Sequence, residues 1–521
     1  MSIGYDKKNG VKYAKICTGR RVDGKVRSTQ VPLGRVIDEE KHIYHNRKRG
    51  YFTYEEETDT YTSVDPSSFP PIERKNRKEK LIIDFGDSWF IDQFIKDINL
   101  YDAIGTLDYG NIDSVRAMVM FYVLSDMANS YAEDWWEGNY ARILYPNANL
   151  SGQRVSDLLA AIGDESSYRA FFTRYFNDVL QKTEGGEEVL IDSTGLPNSI
   201  HFPLTAISNH NGKISNEIRL IYVVQRNTNL PIFFRYVPGN VIDVSTLTRT
   251  IKELKAYNID TKFAVLDAGY LTDDNTQELY REKIAFLSRL PEKTKLFNLL
   301  IQDCLPFLEK KENFIRFNGR SLYLVERRVL LVPNGKSRIL GNDETPTKEE
   351  GNIAYAYIGR DLMMQGIVTD SASVNADKKG YTDGDVYDIR MNGGLFVVYS
   401  SRKIPKIKVL PDYYTRQQIE QVFDVSKNNT KMLPLRVQTE DTLRGHLMLS
   451  FIASIIVKTL QEKLKDTNMT PEGTLKNLRN QKCKVFETKV ITTEFVKKSN
   501  DVIKFFRKKC PVEIPIKGKC C

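Results

Sequence analysis

Hydrophobic and polar residues alternate near the start of the chain in two runs, VKYAKICTG and KVRSTQVPLG, that flank Val22-Asp23-Gly24. Alternation of period two turns one face of each run inward, and Asp-Gly favours the tight hairpin turn, so residues 10–35 are expected to form a small basic β-ribbon. From about Leu81 to Gln181 the period lengthens to that of a helix, as in SVRAMVMFYVLSDMA, with Ser151 placed to cap the helix opened by GQRVSDLLAAIG. At Glu188 the pattern changes again. Three β-rich runs, EVLIDSTG, IRLIYVVQ and PIFFRYVP, follow with short links and predict an antiparallel meander. A helix over 245–256, the apolar strand KFAVLDAGY, a helix over 272–283 and the strand IAFLSRL come next, so strands and helices interleave as in a mixed α/β core.

Residues 291–392 interrupt that pattern with β-like runs and Gly/Asp-rich turns and read as an insertion; the strand GLFVVYSSR and helices over 413–427 and 440–464 resume it. The expected organisation is a basic β-ribbon and linker over 1–79, a helical unit over 80–183, a core split between 184–290 and 393–465 around the 291–392 insertion, and a basic tail over 466–521. A chain of 521 residues exceeds one ordinary core and calls for several such units. The Pro-containing segment PSSFPPIER reads as a linker. Trp89, Trp135 and Trp136 in the helical unit read as core or groove filler.

Composition changes this picture little. With 41% hydrophobic and 27% charged residues the chain is ordinary and globular, and its +9 charge suits a polyanionic partner without requiring one. Basic clusters at His45-Asn46-Arg47-Lys48-Arg49 and Arg74-Lys75-Asn76-Arg77-Lys78 fit either solvated charge or DNA contact. The longest apolar stretches, 447–457 and 115–124, are short of the ~20 residues of a bilayer span, and the amino terminus has no apolar signal core; no membrane partner and a cytoplasmic, DNA-associated location are expected. Six scattered cysteines (Cys17, Cys304, Cys483, Cys510, Cys520, Cys521) fit reduced structural thiols rather than a zinc site or disulfide framework.

The candidate chemistry lies in three carboxylates. Asp192 follows VLI and Asp267 follows FAVL, so both are expected at strand tips; singly, each is as well explained as a turn or capping residue. In YYTRQQIEQVFDVSK, Tyr413, Arg416, Glu420 and Lys427 are offset by three, seven and fourteen residues, near 300°, 340° and 320° at roughly 100° per residue, which predicts one polar helix stripe opposite Ile419, Val422 and Phe423. An exposed face with an Arg416–Glu420 pair explains that stripe in structural terms. Phosphate chemistry explains more of it: carboxylates bind Mg²⁺ or Mn²⁺, while Tyr, Arg and Lys hold DNA phosphates beside them. Two such ions about 3.5–4 Å apart activate an attacking water or 3′-hydroxyl and stabilise the leaving oxygen.

These residues resemble the DDE transposases of insertion sequences of the IS-four type. The family shows D-x-T at its first aspartate, here Asp192-Ser193-Thr194; D-x-G-[YF] at its second, here Asp267-Ala268-Gly269-Tyr270; and Y-x2-R-x3-E-x6-K at its glutamate, met by Tyr413, Arg416, Glu420 and Lys427. Ala268 departs from the arginine many relatives carry there, which puts one local DNA contact in doubt. The resemblance covers about residues 185–460. It implies a ribonuclease H-like mixed-sheet core with a β-rich insertion, preceded by a β-ribbon and a helical DNA-binding region. It further implies Asp192, Asp267 and Glu420 as catalytic ligands of two Mg²⁺ ions (Mn²⁺ substituting), Tyr413, Arg416 and Lys427 as DNA-binding residues, transposon ends and target DNA as partners, and a homodimer in the DNA complex. The expected activity is cleavage at element ends and joining of the 3′-hydroxyl to target DNA. Two rivals stand beside it, a ribonuclease H-like nuclease that does not join and a non-catalytic DNA-binding descendant.

Overall fold

The computed structural model describes residues 2–8, 11–22, 25–46, 48–69, 81–182, 187–198, 204–210, 213–241, 243–332, 337–341, 343–347, 349–435 and 437–516. Asp23 and Gly24 of the hairpin turn, Arg47, most of the linker, the 74–78 basic cluster and the terminal Cys520-Cys521 pair lie outside the described residues. The chain divides into two units, 1–78 and 79–521.

In the first unit the strands Val11–Val22 and Lys25–Asp38 pair antiparallel, and they belong to a larger antiparallel sheet that starts at Ser2–Lys8 and continues through Ile43–Asn46, Gly50–Glu55 and Thr60–Ser63. Ala14, Ile16, Leu33, Tyr44, Phe52 and Tyr54 give it a small core of its own. The alternation in the ribbon thus reflects a one-sided sheet of which the ribbon is the longest part.

The second unit is built on a long mixed sheet whose strands we number in chain order: β1 Glu188–Pro197, β2 Ala206–His210, β3 Lys213–Gln225, β4 Pro231–Pro238, β5 Phe263–Leu266, β6 Ala285–Arg289, β7 Phe314–Phe317, β8 Arg320–Leu331, β9 Arg338–Ile339, β10 Asn352–Asp361 and β11 Leu395–Ser400. Their order is β4-β3-β1-β5-β6-β11-β10-β8-β7, with β2 on β3 and β9 on β8. β4, β3 and β1 form the expected antiparallel meander, while β1, β5 and β6 are parallel. The strands of the 291–392 segment join the same sheet through the antiparallel pairing of β10 with β11.

Around the sheet lie helices named here where they matter: α1 Leu362–Val374, α2 Asp383–Asn392, α3 Lys406–Tyr414, α4 Gln417–Asp424 and α5 Glu440–Leu464. α5 is long and apolar enough to cross a bilayer, yet 89% of its most apolar stretch is buried, so it is a core helix. It packs against the helices Ile112–Leu124 and Gly152–Ile162. That approach needs glycine on both sides: a Cβ on Gly445 would sit 1.9 Å from the Leu159 carbonyl oxygen, and one on Gly163 would sit 1.8 Å from that of Asp441. The segment expected as a basic tail is folded. Its strands Lys482–Val485, Lys489–Thr492 and Glu513–Pro515 form a sheet with Leu81–Asp84, tying the carboxy-terminal segment to the start of the helical region.

Candidate active site

β1 does not end at Asp192, as its sequence suggested; it runs on to Pro197, held by β3 along its whole length. What ends there is β5. Leu266 pairs with Ile191 in the parallel ladder, so Asp192 and Asp267 follow at adjacent positions just where the parallel pairing stops. The apolar runs before each aspartate are fully buried, which fixes the register that brings the two carboxylates together. Asp192 is 7% exposed and accepts a hydrogen bond from the Ser193 amide at 2.8 Å. Ser288 on β6 donates to the Asp267 carbonyl at 3.2 Å and holds that strand end.

The third carboxylate comes from the helical segment after β11, which is not the single regular helix its periodicity predicts. α3 ends at Tyr414, Thr415 and Arg416 form a turn, α4 begins at Gln417, and Val425–Asn429 is a π-helical turn. The break is tightened by bonds from the amides of Arg416, Gln418 and Ile419 to the carbonyls three residues back, at 3.1, 2.9 and 3.0 Å. Ile419, Val422 and Phe423 face the core, so Glu420 is turned outward and its side chain is 59% exposed.

One guanidinium gathers the three carboxylates. Arg416 contacts Asp267 at 2.8 Å, Asp192 at 3.3 Å and Glu420 at 3.4 Å, while its buried Nε has no hydrogen-bond partner among the described residues. Burial would lower its pKa; Asp192, Asp267, Tyr413 and Glu420 outweigh that and raise it above the ordinary guanidinium value. Among the described residues no three His, Cys, Asp or Glu side chains are close enough to hold a metal. The donor set nevertheless suits a hard divalent cation, because three oxygen ligands already surround one positive charge.

Lys427, inside the π-turn, lies away from the Arg416 contacts. Its ammonium donates to the Thr194 hydroxyl at 2.6 Å and the Gly195 carbonyl at 3.1 Å, clamping the helical segment to the Asp192-Ser193-Thr194 stretch. Burial lowers its pKa, with Glu217 opposing. Tyr413 is buried beneath the turn, and burial pushes its phenol up to about 12, with Arg416 opposing. The structure thus brings Asp192, Asp267, Arg416 and Glu420 together, puts Lys427 on the strand beside them, and places Tyr413 in the packing below.

Two supporting groups escaped the sequence reading. Arg226, at the end of β3, donates to Glu188 and to Asp412 at 2.6 Å each and to the Thr415 hydroxyl at 3.3 Å, so it fixes the turn that aims Arg416. Glu217 is a buried carboxylate lying against Gly195, where an added Cβ would come within 2.2 Å of its oxygen. Charge in the meander (IRLIYVVQR and NEIR) was the available signal, but a strand charge is ordinarily a solvent-facing residue.

Residues 184–456, just over half of the chain, match a family described as the transposase DDE domain, and the chain belongs to that family. It is a DNA transposase of the DDE class. No curated protein matches it in sequence. Among solved structures, a piggyBac transposase in a synaptic complex with hairpin DNA is similar at 12% identity and a TM-score of 0.35, covering 75% of this chain and 76% of that one; a likeness that loose has no bearing on mechanism.

Proposed function

We propose that this transposase cleaves DNA at the ends of an insertion-sequence element of the IS-four type and joins the freed 3′-hydroxyl to target DNA. Asp192, Asp267 and Glu420 are the ligands of two Mg²⁺ ions, for which Mn²⁺ substitutes, on a ribonuclease H-like core. The observation that carries this reading is the convergence of the three carboxylates on one cationic group, Arg416, from two adjacent strand positions and a following helix. Bound at those carboxylates, the ions supply an activated oxygen nucleophile and neutralise charge on the leaving oxygen.

The chain's own residues do the rest. The β1–β5 register holds Asp192 and Asp267 side by side, and Arg226 fixes the turn from which Arg416 and Glu420 project. Lys427 keeps the helical segment seated on β1 and presents a positive charge beside the site. Arg416 can serve a DNA phosphate only when its carboxylate partners are neutralised in another way, since they take up its donors otherwise. The burial of Tyr413 favours a role in positioning Arg416. Transposon ends and target DNA are the partners, and two copies act together on paired ends.

The test is cleavage of duplex DNA taken from either side of the coding region, with the full chain and Mg²⁺ or Mn²⁺. Cutting at a fixed position should fall more than ~100-fold in each of Asp192→Asn, Asp267→Asn and Glu420→Gln, because even outer-shell losses at metal sites cost 10–100-fold. Metal-dependent cutting that survives all three substitutions overturns the assignment.

A further inference from the structure

The folded carboxy-terminal segment 471–516 holds 46 residues, with eleven basic side chains against five acidic ones, so its net charge of +6 is two thirds of the +9 of the whole chain. Four of those cations are already neutralised: Arg479 pairs with Asp87, Lys482 with Asp84, Lys489 with Glu513 and Lys508 with Asp97. Lys497, Lys498, Lys504, Arg507 and Lys509 are different. All five are exposed, and none forms an ion pair among the described residues. Unpaired like charges crowded into thirteen residues repel one another, a cost that a polyanion removes.

The backbone gathers these charges on one side. The segment contains the helices α6 Pro471–Arg479 and α7 Lys497–Phe505. At roughly 100° per residue, Lys504, Lys497, Asp501, Phe505 and Lys498 fall in that order within about 120° of α7, with Asp501 the one acid among them. Ser499, Val502 and Ile503 take the other side and are buried. The helix is held firmly from that side: the Ser499 hydroxyl donates to the Asn477 carbonyl of α6, and the Val496 amide donates to the Gln481 side chain at 3.0 Å. Phe506 packs edge-on against Phe90 and Phe94, with ring centroids 4.9 and 6.2 Å away. Arg507 then closes the helix in a left-handed conformation (φ 52°), and the Lys508 amide bonds back to the Ile503 carbonyl at 3.0 Å.

We propose that the outer face of α7, with the turn after it, holds duplex DNA by its phosphates and without reading sequence. Charge complementarity selects the partner. Lys497 and Lys504 stand about 10 Å apart along the helix axis, and a DNA strand offers a phosphate about every 3.4 Å of its own axis, so one duplex strand can meet all three lysines. An ammonium is a point charge that holds phosphates, whereas base reading uses the planar donor sets of Arg, Asn or Gln, and this arc of α7 has none. A helix that lies on a membrane offers its apolar side to lipid, but here Val502 and Ile503 are buried within the protein. DNA also needs cations beyond the catalytic centre, because Arg416 is taken up by three carboxylates and Lys427 by Thr194 and Gly195.

Binding of the full chain to a short duplex, followed by fluorescence anisotropy across a salt series without divalent metal, tests this whatever the fate of the proposed metal site. Lys497→Ala with Lys498→Ala and Lys504→Ala places a good helix former at three exposed positions and removes three phosphate contacts. The slope of log affinity against log salt should become shallower by about 2.7, and affinity near ~0.1 M salt should fall on the order of 100-fold. The loss should be equal on duplex from beside the coding region and on an unrelated duplex. Arginine at the same three positions should keep the wild-type slope, which a role in packing alone would not predict. Lys378→Ala with Lys379→Ala, exposed elsewhere, should change the slope by less than about one. A triple alanine variant with the wild-type slope overturns the proposal and leaves the face to a protein partner; a loss confined to one duplex sequence, or an equal loss in the Lys378 and Lys379 variant, overturns it as well.

Discussion

Replacing Arg416 with alanine removes the one cation shared by Asp192, Asp267 and Glu420, and the consequence for metal binding follows from the geometry. Of its three contacts, that to Asp192 is well shielded from water, whereas the Asp267 and Glu420 side chains are 38% and 59% exposed. The exposed arms contribute little after solvent screening, at most about 1 kcal/mol together, and the shielded arm contributes about as much again. A divalent cation entering the wild type must displace contacts worth about 1–2 kcal/mol, so Arg416→Ala should bind Mg²⁺ or Mn²⁺ roughly 5–30-fold more tightly. Titration calorimetry on the full chain without DNA measures this directly. Without metal the same variant should unfold at a lower temperature, and added Mg²⁺ should recover more of the loss than it adds to wild type. Arg416→Lys should fall between, since one ammonium cannot bridge three carboxylates as a guanidinium does. Arg402→Ala, which breaks a pair with Glu188 outside the triad, should leave metal affinity unchanged. An unchanged or weaker metal affinity in Arg416→Ala would refute the idea that arginine and metal compete for these oxygens.

Other consequences are as direct. Gly445→Ala drives a methyl into the Leu159 carbonyl and should destabilise the chain by about 3 kcal/mol or more, whereas Gly366→Ala, in α1 with nothing within 4 Å, should stabilise slightly; thermal unfolding compares them. Buried His446 donates from Nε2 to the Met432 carbonyl at 3.2 Å and accepts from the Tyr122 hydroxyl at 2.7 Å, and burial lowers its pKa from 6.5 to about 4. Its unfolded form therefore binds the proton first, so stability is undiminished above pH 6.5 and falls by about 3 kcal/mol as pH drops from 6.5 to 4; acid unfolding of His446→Gln should lack that increment. Gly195→Ala should disturb β1 through Glu217, and Glu217→Ser should relieve it, as followed by hydrogen exchange of the Thr194 and Gly195 amides. Binding to DNA through ~6–10 phosphates should weaken by about 10³–10⁵ between 50 and 200 mM salt, and a flat response would count against the DNA surface.

Much of the site was legible because its backbone context is local. The apolar runs VLI and FAVL marked two strands with an aspartate after each, while the side-by-side pairing that makes Asp192 and Asp267 neighbours is seen only in the structure. The strand-tip reading of Asp192 failed because the end of parallel pairing is set by β5, a different segment, not by β1 itself. The helix stripe was half right: Arg416 and Glu420 stay together across one turn, but the tight turn at 415–416 and the π-turn at 425–429 alter the angle per residue, which counting cannot detect. Arg226 was invisible because its partners Glu188 and Asp412 lie far along the chain, and Glu217 because its burial against Gly195 is set by the pairing of β3 with β1. The segment over 466–521 was read only as a basic tail, because its strand Lys482–Val485 is defined by a partner, Leu81–Asp84, about four hundred residues earlier.

The central claim is that this site joins DNA as well as cutting it. A pre-cleaved end carrying a free 3′-hydroxyl, supplied with Mg²⁺ and supercoiled target DNA, removes the cleavage step from the assay. Covalent joining of that end to the target by wild type, absent in Asp192→Asn and Glu420→Gln, is the predicted result; hydrolysis of the DNA with no joined product would contradict it.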